Sequence, residues 1–369
     1  MKVLYVIDSL ANGGAERSLA AMAPLYGRHG IDLEVVVLQE RAGVHAEVAA
    51  VVPVSVLTSA TRRGRAVELR SLVAGRRPDV VHSTLFEADL VSRVAVGPRG
   101  PALVCSLVND SYSPAHLARA GVPAWKLRAV KAVDALTGRR VRRFHAISEH
   151  VAAAMQERLR IPAGRIEVVP RGRDPEVLGR RTPERRAAAR LALGVPTGVP
   201  LVLAAARQEP QKGLDVLLDA WPSVIERVPA ARLVVAGRDG AASAALLRRA
   251  AEVGAALLGD RPDVADLLVG ADAFAFPSRW EGAGGALLEA MALETPVVTS
   301  DLPPARELLD GAAAFVPPED PAALAGALVA VLTRRPDAAV ADARQRFVDR
   351  YTVDAVVARM ATFYRRALG

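Results

Sequence analysis

Twelve short apolar runs alternate with helix-patterned stretches along this chain, and that alternation most restricts what it can fold into. Six lie in the first half, at residues 3–7, 33–38, 80–82, 102–107, 144–147 and 166–169. Six lie in the second, at 201–205, 232–236, 255–258, 273–276, 296–299 and 313–316. Apolar runs this short, without polar alternation, read as strands buried on both faces, as in parallel sheets covered by helices. Stretches such as 15–27 and 125–136 are patterned as the intervening helices. The expected class is α/β, with doubly wound parallel sheets. Ligands of such sheets bind beyond the carboxyl ends of the strands. In the first half those ends carry residues 9–16, 83–87, 109–113 and 148–149.

A length of 369 residues suits two domains. The alternation breaks over 171–198, which opens Arg-Gly-Arg-Asp-Pro, continues as an Arg/Ala-rich helical piece and closes Gly-Val-Pro-Thr-Gly-Val-Pro. It reads as a linker between a first domain, 1–170, and a second, 199–352. The tail over 347–368 is patterned as two helices. No run of eighteen apolar residues is present, so no membrane span is expected. The opening Met-Lys-Val-Leu-Tyr-Val-Ile breaks at Asp8, too soon for a secretory leader, and reads as a first strand. A single cysteine, Cys105, leaves no intrachain disulfide and no multi-cysteine zinc site, and fits a buried small hydrophobe in a reducing cytoplasm.

Charge is uneven. Residues 1–182 carry 27 Lys and Arg against 17 Asp and Glu, a surplus of ten; residues 183–369 carry 21 against 23. Such asymmetry speaks to partners rather than fold. The densest stretch is 126–143, with Lys126, Arg128, Lys131, Arg139, Arg140, Arg142 and Arg143. It reads either as a solvated helix face or as a surface for phosphate or an anionic membrane. Nucleic acid is not expected, since only 4% of residues are aromatic and no recognition motif is present.

Three motifs carry chemistry. Asn12-Gly13-Gly14-Ala15-Glu16 follows the first strand and opens a helix, but lacks the G-x-G-x-x-G spacing of a dinucleotide fingerprint. Arg207-x4-Lys212-Gly213 follows the first strand of the second domain and places two cations at its carboxyl end. Glu281-Gly-Ala-Gly-Gly-Ala-Leu-Leu-Glu289 follows the strand 273–276. Its Gly284 and Gly285 would bare the N–H groups of a helix start, which favours an anion. Pro296 limits that helix. No Asp-x-Asp occurs anywhere, and His and Cys are scattered, so no metal site is expected.

Together these motifs resemble the retaining glycosyltransferases of family GT4 (group 1), which have the two-domain GT-B fold. The resemblance covers nearly the whole chain and is densest over 200–310. It implies two Rossmann-like domains facing a cleft, with a last helix of about 353–369 crossing back to the first. Arg207 and Lys212 would neutralise a leaving nucleoside diphosphate without a metal or other cofactor. Glu281 would bind sugar hydroxyls, Glu289 ribose hydroxyls, and Gly284 and Gly285 phosphate or sugar. Gly13 and Gly14 would approach the donor, and loops carrying Arg238 and Asp263 would line the nucleobase. Glu16, His82 and Asn109 would lie on the acceptor and sugar side. Asn109 stands where relatives have His, Arg171 where Asn is usual, and Ala283 where Phe is common.

The implied activity is sugar transfer with retention from a UDP- or GDP-sugar, UDP favoured, to a hydroxyl acceptor. That acceptor is either anionic or lipid-linked, with peripheral attachment at the inner membrane face, or a neutral soluble molecule. A non-transferring sugar-nucleotide enzyme of the same fold and a basic polyanion-binding module are the other readings.

Overall fold

The computed structural model describes residues 1–11, 13–112 and 123–369. Asn12, beside the first glycine pair, and Ser113, at the end of the 109–113 loop, lie outside the described residues. Contacts divide the chain into two units, Met1–Gly172 with Val353–Gly369, and Arg173–Thr352.

The first unit runs β1 (Lys2–Ile7), α1 (Gly14–Met22), β2 (Asp32–Val37), α2 (His45–Ala49), β3 (Val54–Val56), α3 (Arg62–Arg76), β4 (Val80–Thr84), α4 (Phe86–Ala95), β5 (Ala102–Leu107), α5 (Ala124–Gly138), β6 (Arg143–Ala146), α6 (Glu149–Leu159) and β7 (Ile166–Val168). Its sheet has the order β3-β2-β1-β4-β5-β6-β7, with every pair parallel. Only β3 had no counterpart in the sequence pattern. Its three residues, Val-Ser-Val, sit on an edge and are only partly buried, so they carry little apolar signal.

The second unit runs α7 (Pro175–Leu178), α8 (Pro183–Ala192), β8 (Leu201–Ala205), α9 (Leu214–Arg227), β9 (Arg232–Ala236), α10 (Ser243–Val253), β10 (Ala256–Leu257), α11 (Val264–Gly270), β11 (Ala273–Phe276), α12 (Gly285–Ala292), β12 (Val297–Ser300), α13 (Pro303–Leu309), β13 (Ala314–Val316), α14 (Pro321–Thr333) and α15 (Asp337–Arg350). Its parallel sheet has the order β10-β9-β8-β11-β12-β13. Pro222 lies inside α9, where the pattern alone would stop the helix at Trp221. A proline there costs roughly 3 kcal/mol. Continuing the helix buries Trp221 and Val224 against the sheet, and each such side chain contributes about 1.5–3 kcal/mol or more.

Residues 173–198 belong to the second unit rather than to a linker. Arginines of the stretch tie it to the end of α11, and Leu178 and Val195 enter the core of that unit. The last carbonyls of α11 have no partners within their helix. Arg186 Nη1 and Arg181 Nη2 donate to Ala271 O at 2.9 and 3.0 Å, and Arg190 Nη1 donates to Gly270 O at 3.0 Å. Arg185 pairs with Asp266 at 2.6 Å, and Arg186 with Asp272 at 2.5 Å. Cations at a helix C-terminus also suit its dipole.

The last helix, α16 (Val353–Leu368), belongs to the first unit, where it buries Val356, Val357, Met360, Phe363 and Tyr364 in the core around β1 and β2.

Candidate active site

In the second sheet the strand order reverses between β8 and β11, so loops 206–213 and 277–284 leave adjacent strands at the switch point. Ligand sites of doubly wound sheets lie there. The two loops are locked together. Gly213 has φ +60°, and a Cβ on it would stand 2.0 Å from Pro277 O, so glycine is what permits the approach. Arg279 N–H donates to Gln211 O at 2.8 Å, and Gln211 Nε2 to Trp280 O at 2.8 Å. The Arg279 guanidinium grips Asp215 at 2.9 and 2.7 Å and reaches Pro210 O and Glu319.

This frame brings Lys212 and Glu281 together from different loops. The Lys212 ammonium pairs with Glu281 Oε1, which also accepts from Ser278 Oγ at 2.8 Å. Both side chains are mostly buried, 15% and 10% exposed, so the pair is poorly screened by water. Glu289 lies on α12, and Arg173 Nε donates to its Oε1 at 2.7 Å. The same guanidinium crosses the start of that helix. Its Nη2 lies 2.5 Å from where a Cβ on Gly285 would be, and Gly284, at φ +59°, caps the helix. Arg173 is itself fixed, its N–H donating to Tyr351 O at 2.9 Å.

The remaining expected residues of this unit are not gathered into that cluster. Arg207 and Arg238 are exposed and make no ion pair among the described residues. Asp263 is held by Arg261 of its own loop at 2.7 and 2.5 Å, which keeps its carboxyl below the ordinary range. Gly237, at φ +148°, fits against Ala206 O, where a Cβ would come within 1.8 Å.

In the first unit the glycine pair opens α1. A Cβ on Gly13 would stand 2.2 Å from Glu16 Oε2, and one on Gly14 2.3 Å from Arg171 Nη1. The glycines thus let a buried carboxylate and a guanidinium fold over the helix start. His82 is corrected. It is 1% exposed and faces α16, with Nδ1 2.6 Å from the Tyr364 hydroxyl and Nε2 2.7 Å from Ser106 Oγ. Ser106 Oγ lies 2.8 Å from His145 Nδ1, and His145 Nε2 donates to Val169 O at 2.8 Å. Burial holds the His82 pKa well below its ordinary value. It is a satisfied core histidine, not a group at the strand ends. Asn109 is exposed after β5. Cys105 is buried beside Ser83, and burial pushes its thiol up to about 12.

The basic stretch is also resolved into parts. Arg140 donates to Arg93 O at 3.2 Å, Arg143 to Arg366 O at 3.0 Å and to Gly164 O at 3.2 Å, and Arg142 approaches Leu368 O. These three tie carbonyls near the ends of α4 and α16 instead of forming a free strip.

Sequence reading missed Asp8. Burial raises its carboxyl from 3.8 to about 6, against the Ala88 N–H it accepts at 2.7 Å; Glu87 and Glu16 raise it further. Between those two values the folded chain holds a proton that the unfolded chain has lost. The contribution of Asp8 to stability is therefore fully present below about pH 4 and is lost as pH rises through about 6. Asp8→Asn, which still offers an acceptor to Ala88, should stabilise the protein at pH 7–8 by up to about 2–3 kcal/mol. It should match wild type near pH 4. Denaturant unfolding across that pH range measures this, and a wild-type advantage at pH 8 would contradict it.

Family models now fix the kinship. The glycosyltransferase family 4 model matches residues 12–177, and the group 1 glycosyl transferase model matches 199–334. The chain belongs to this family. Its fold is GT-B, as in Anabaena HepE in complex with UDP, with TM-score 0.86 at 21% identity over 99% of this chain and 100% of the other. WaaG, a glycosyltransferase involved in lipopolysaccharide biosynthesis, gives TM-score 0.74 at 19% identity over 98% and 99%. A curated relative, the GDP-mannose-dependent monoacylated alpha-(1-6)-phosphatidylinositol monomannoside mannosyltransferase of Corynebacterium glutamicum, is 35% identical over 122 residues. That match spans 32% of this chain and about a third of the relative's length. No helix among the described residues is long and apolar enough to cross a membrane.

Proposed function

We propose that the chain transfers a sugar, with retention, from a nucleoside-diphosphate sugar to a hydroxyl acceptor. The carrying observation is the pairing of Lys212 with Glu281 at the switch point of the second sheet, beside an α12 whose start is stripped of side chains. Bond breaking between the anomeric carbon and the phosphate oxygen puts charge on the β-phosphate. A fixed ammonium and the bare N–H groups of a helix start stabilise charge that develops there. Arg207, exposed on the same loop, supplies a second cation once a diphosphate is bound. Glu281 is then released from Lys212 to accept from sugar hydroxyls, and Glu289, oriented by Arg173, accepts from the ribose. The acceptor oxygen forms its bond to the anomeric carbon on the face the diphosphate leaves, and the departing phosphate oxygen takes the hydroxyl proton. Both a UDP and a GDP donor are consistent with the named relatives, and we favour UDP because HepE, matched over its whole length, holds UDP, whereas the GDP-mannose-dependent relative is matched over about a third. The cytoplasm is the expected compartment, since the chain's single cysteine is buried and unpaired.

A panel of UDP- and GDP-sugars with candidate acceptors tests this. Nucleoside diphosphate should be released in proportion to acceptor, and the product should keep the donor's anomeric configuration by NMR. Release with no glycosylated product would favour a non-transferring enzyme. No release from any donor, with no thermal stabilisation by UDP or GDP, would end the reading.

Metal independence is part of the same proposal. Among the described residues no group of three His, Cys, Asp or Glu is placed as metal ligands, and the leaving group is assigned to Lys212, Arg207 and α12. Activity should therefore stay within about twofold in excess EDTA, since the charge those groups supply needs no ion. Loss in EDTA that Mg²⁺ or Mn²⁺ restores would move the work to a metal.

A further inference from the structure

Helices α5 and α6 flank a groove of about 760 Å³ in the first unit. Arg128, Lys131, Arg139, Arg158, Arg160 and Arg165 line it, over an apolar floor that includes Phe144, Leu159 and Ile161. The lining has one carboxylate, Asp134, which is buried and already bound to Arg93 at 2.6 Å and to the Tyr112 hydroxyl at 2.8 Å. Arg158 pairs with Asp110. Among the described residues the other five cations have no carboxylate within ion-pair distance. Like charges gathered in one groove repel, and an anion facing them would remove that cost.

The outer face of α5 extends the groove. Trp125, Arg128, Ala132, Leu136 and Arg139 recur at spacings of three and four and so share one side of the helix. Trp125 is 67% exposed and Leu136 63%, and they lie beside cations on the same face. The Lys126 ammonium lies 5.5 Å from the Trp125 ring. Tryptophan and leucine among cations on one helix face suit a lipid–water interface. The place differs from the substrate loops. Arg139, Arg160 and Arg165 precede the amino ends of β6 and β7, whereas Gly13, Gly14 and Asn109 follow the carboxyl ends of β1 and β5.

We propose that this face docks on the anionic surface of a phospholipid bilayer, with lipid phosphates in the α5–α6 groove and Trp125 and Leu136 in the interface. It is a separate docking site, not the acceptor subsite. It differs from the Arg140, Arg142 and Arg143 group, all of whose guanidiniums reach carbonyls; of the groove cations Arg158 and Arg165 do so, to Ser111 O at 3.1 Å and Arg139 O at 3.2 Å. Charge complementarity identifies the occupant. The cations are matched by phosphate, and the exposed apolar side chains beside them by acyl chains.

Co-sedimentation with vesicles of equimolar phosphatidylcholine and phosphatidylglycerol tests the assignment without any donor, so its outcome is independent of the proposed reaction. The full chain should bind these vesicles at low ionic strength and not vesicles of phosphatidylcholine alone. Each neutralised cation should weaken binding about fivefold, so Arg128→Gln with Lys131→Gln and Arg139→Gln should weaken it about a hundredfold. Those side chains are exposed or half-exposed, and unchanged thermal unfolding confirms that the variant is folded. Tryptophan emission should shift to the blue on vesicle binding, and Trp125→Phe should abolish the shift. Failure of the wild type to bind, full binding by the triple variant, or a blue shift that survives Trp125→Phe would each overturn the proposal. So would equal retention on single-stranded DNA, which would mark a general polyanion surface. Inorganic phosphate that stabilises the protein while vesicles do not bind would mark a free-anion site instead.

Discussion

Replacing Lys212 by Ala should lower turnover about a hundredfold or more while changing donor affinity far less. Losing one donor aimed at developing charge typically costs about 3–4 kcal/mol of transition-state stabilisation. The structure adds a second consequence. Among the described residues Glu281 Oε1 would keep only Ser278 as a partner, in a place where its carboxylate is 10% exposed. An orphaned carboxylate there would repel the donor diphosphate. Lys212→Ala combined with Glu281→Gln removes that repulsion, so the double variant should bind a nucleoside diphosphate better than the single one yet recover little turnover. Lys212→Arg keeps the charge on a larger, planar group and should fall between. Steady-state rates and calorimetric binding of UDP and GDP separate the two effects. Near-normal turnover in Lys212→Ala would remove Lys212 from the leaving-group role. A loss confined to affinity would make it a binding residue only.

The sheets were legible because both are buried on both faces. Each of the twelve short apolar runs holds a strand, and β3 escaped because an edge strand of three partly exposed residues leaves no such run. The switch point could be placed once strand order was known, but sequence alone does not give that order. The Glu281-to-Glu289 spacing and the Arg207-to-Lys212 spacing were readable as motifs. Their partners were not, since ion pairs join residues far apart in the chain. Lys212 meets Glu281 across 69 positions, and Arg173 meets Glu289 across 116. Arg173 was visible only as part of an Arg-Gly-Arg run in what looked like a linker. The same bias hid the α11 anchor, because arginines that cap carbonyls look identical in sequence to arginines in water.

His82 shows the limit of carrying a role over from a motif. The family resemblance puts it on the acceptor side, whereas the residue itself is consistent with a satisfied histidine at a strand end. On β4 it is followed by Ser83 and Thr84, and its side chain points sideways from the sheet to Tyr364 of a helix 282 residues away. Only the return of α16 to the first unit decides that. Asp8 was missed for a related reason. Its raised carboxyl depends on burial and on Glu16 and Glu87, which the fold assembles.

Arg173 and Gly285 should prove to be one functional unit. Arg173→Ala removes the 2.7 Å charge-assisted bond that orients Glu289 and takes a cation from the start of α12. Hydrogen bonds to charged groups contribute about 1.5–3 kcal/mol. Binding of a nucleoside diphosphate should therefore weaken roughly ten- to a hundredfold. Gly285→Ala approaches the same contact from the other side. Its Cβ would fall 2.5 Å from Arg173 Nη2, the end of a flexible side chain, which moves at little cost. The variant should fold with near-normal stability but displace the guanidinium, and so weaken the same ligand without touching Arg173. Gly213→Ala is the contrast. There a Cβ meets the Pro277 carbonyl at 2.0 Å and φ is +60°, so backbone must move and stability should fall by about 1–3 kcal/mol. Because Arg173→Ala has already emptied the space, adding Gly285→Ala to it should weaken binding no further. Calorimetry on the two single variants and the double variant reads the coupling directly. Fully additive losses would show that Gly285 and Arg173 act apart. Normal binding by Gly285→Ala would show that the guanidinium's place at the helix start does not matter to the ligand.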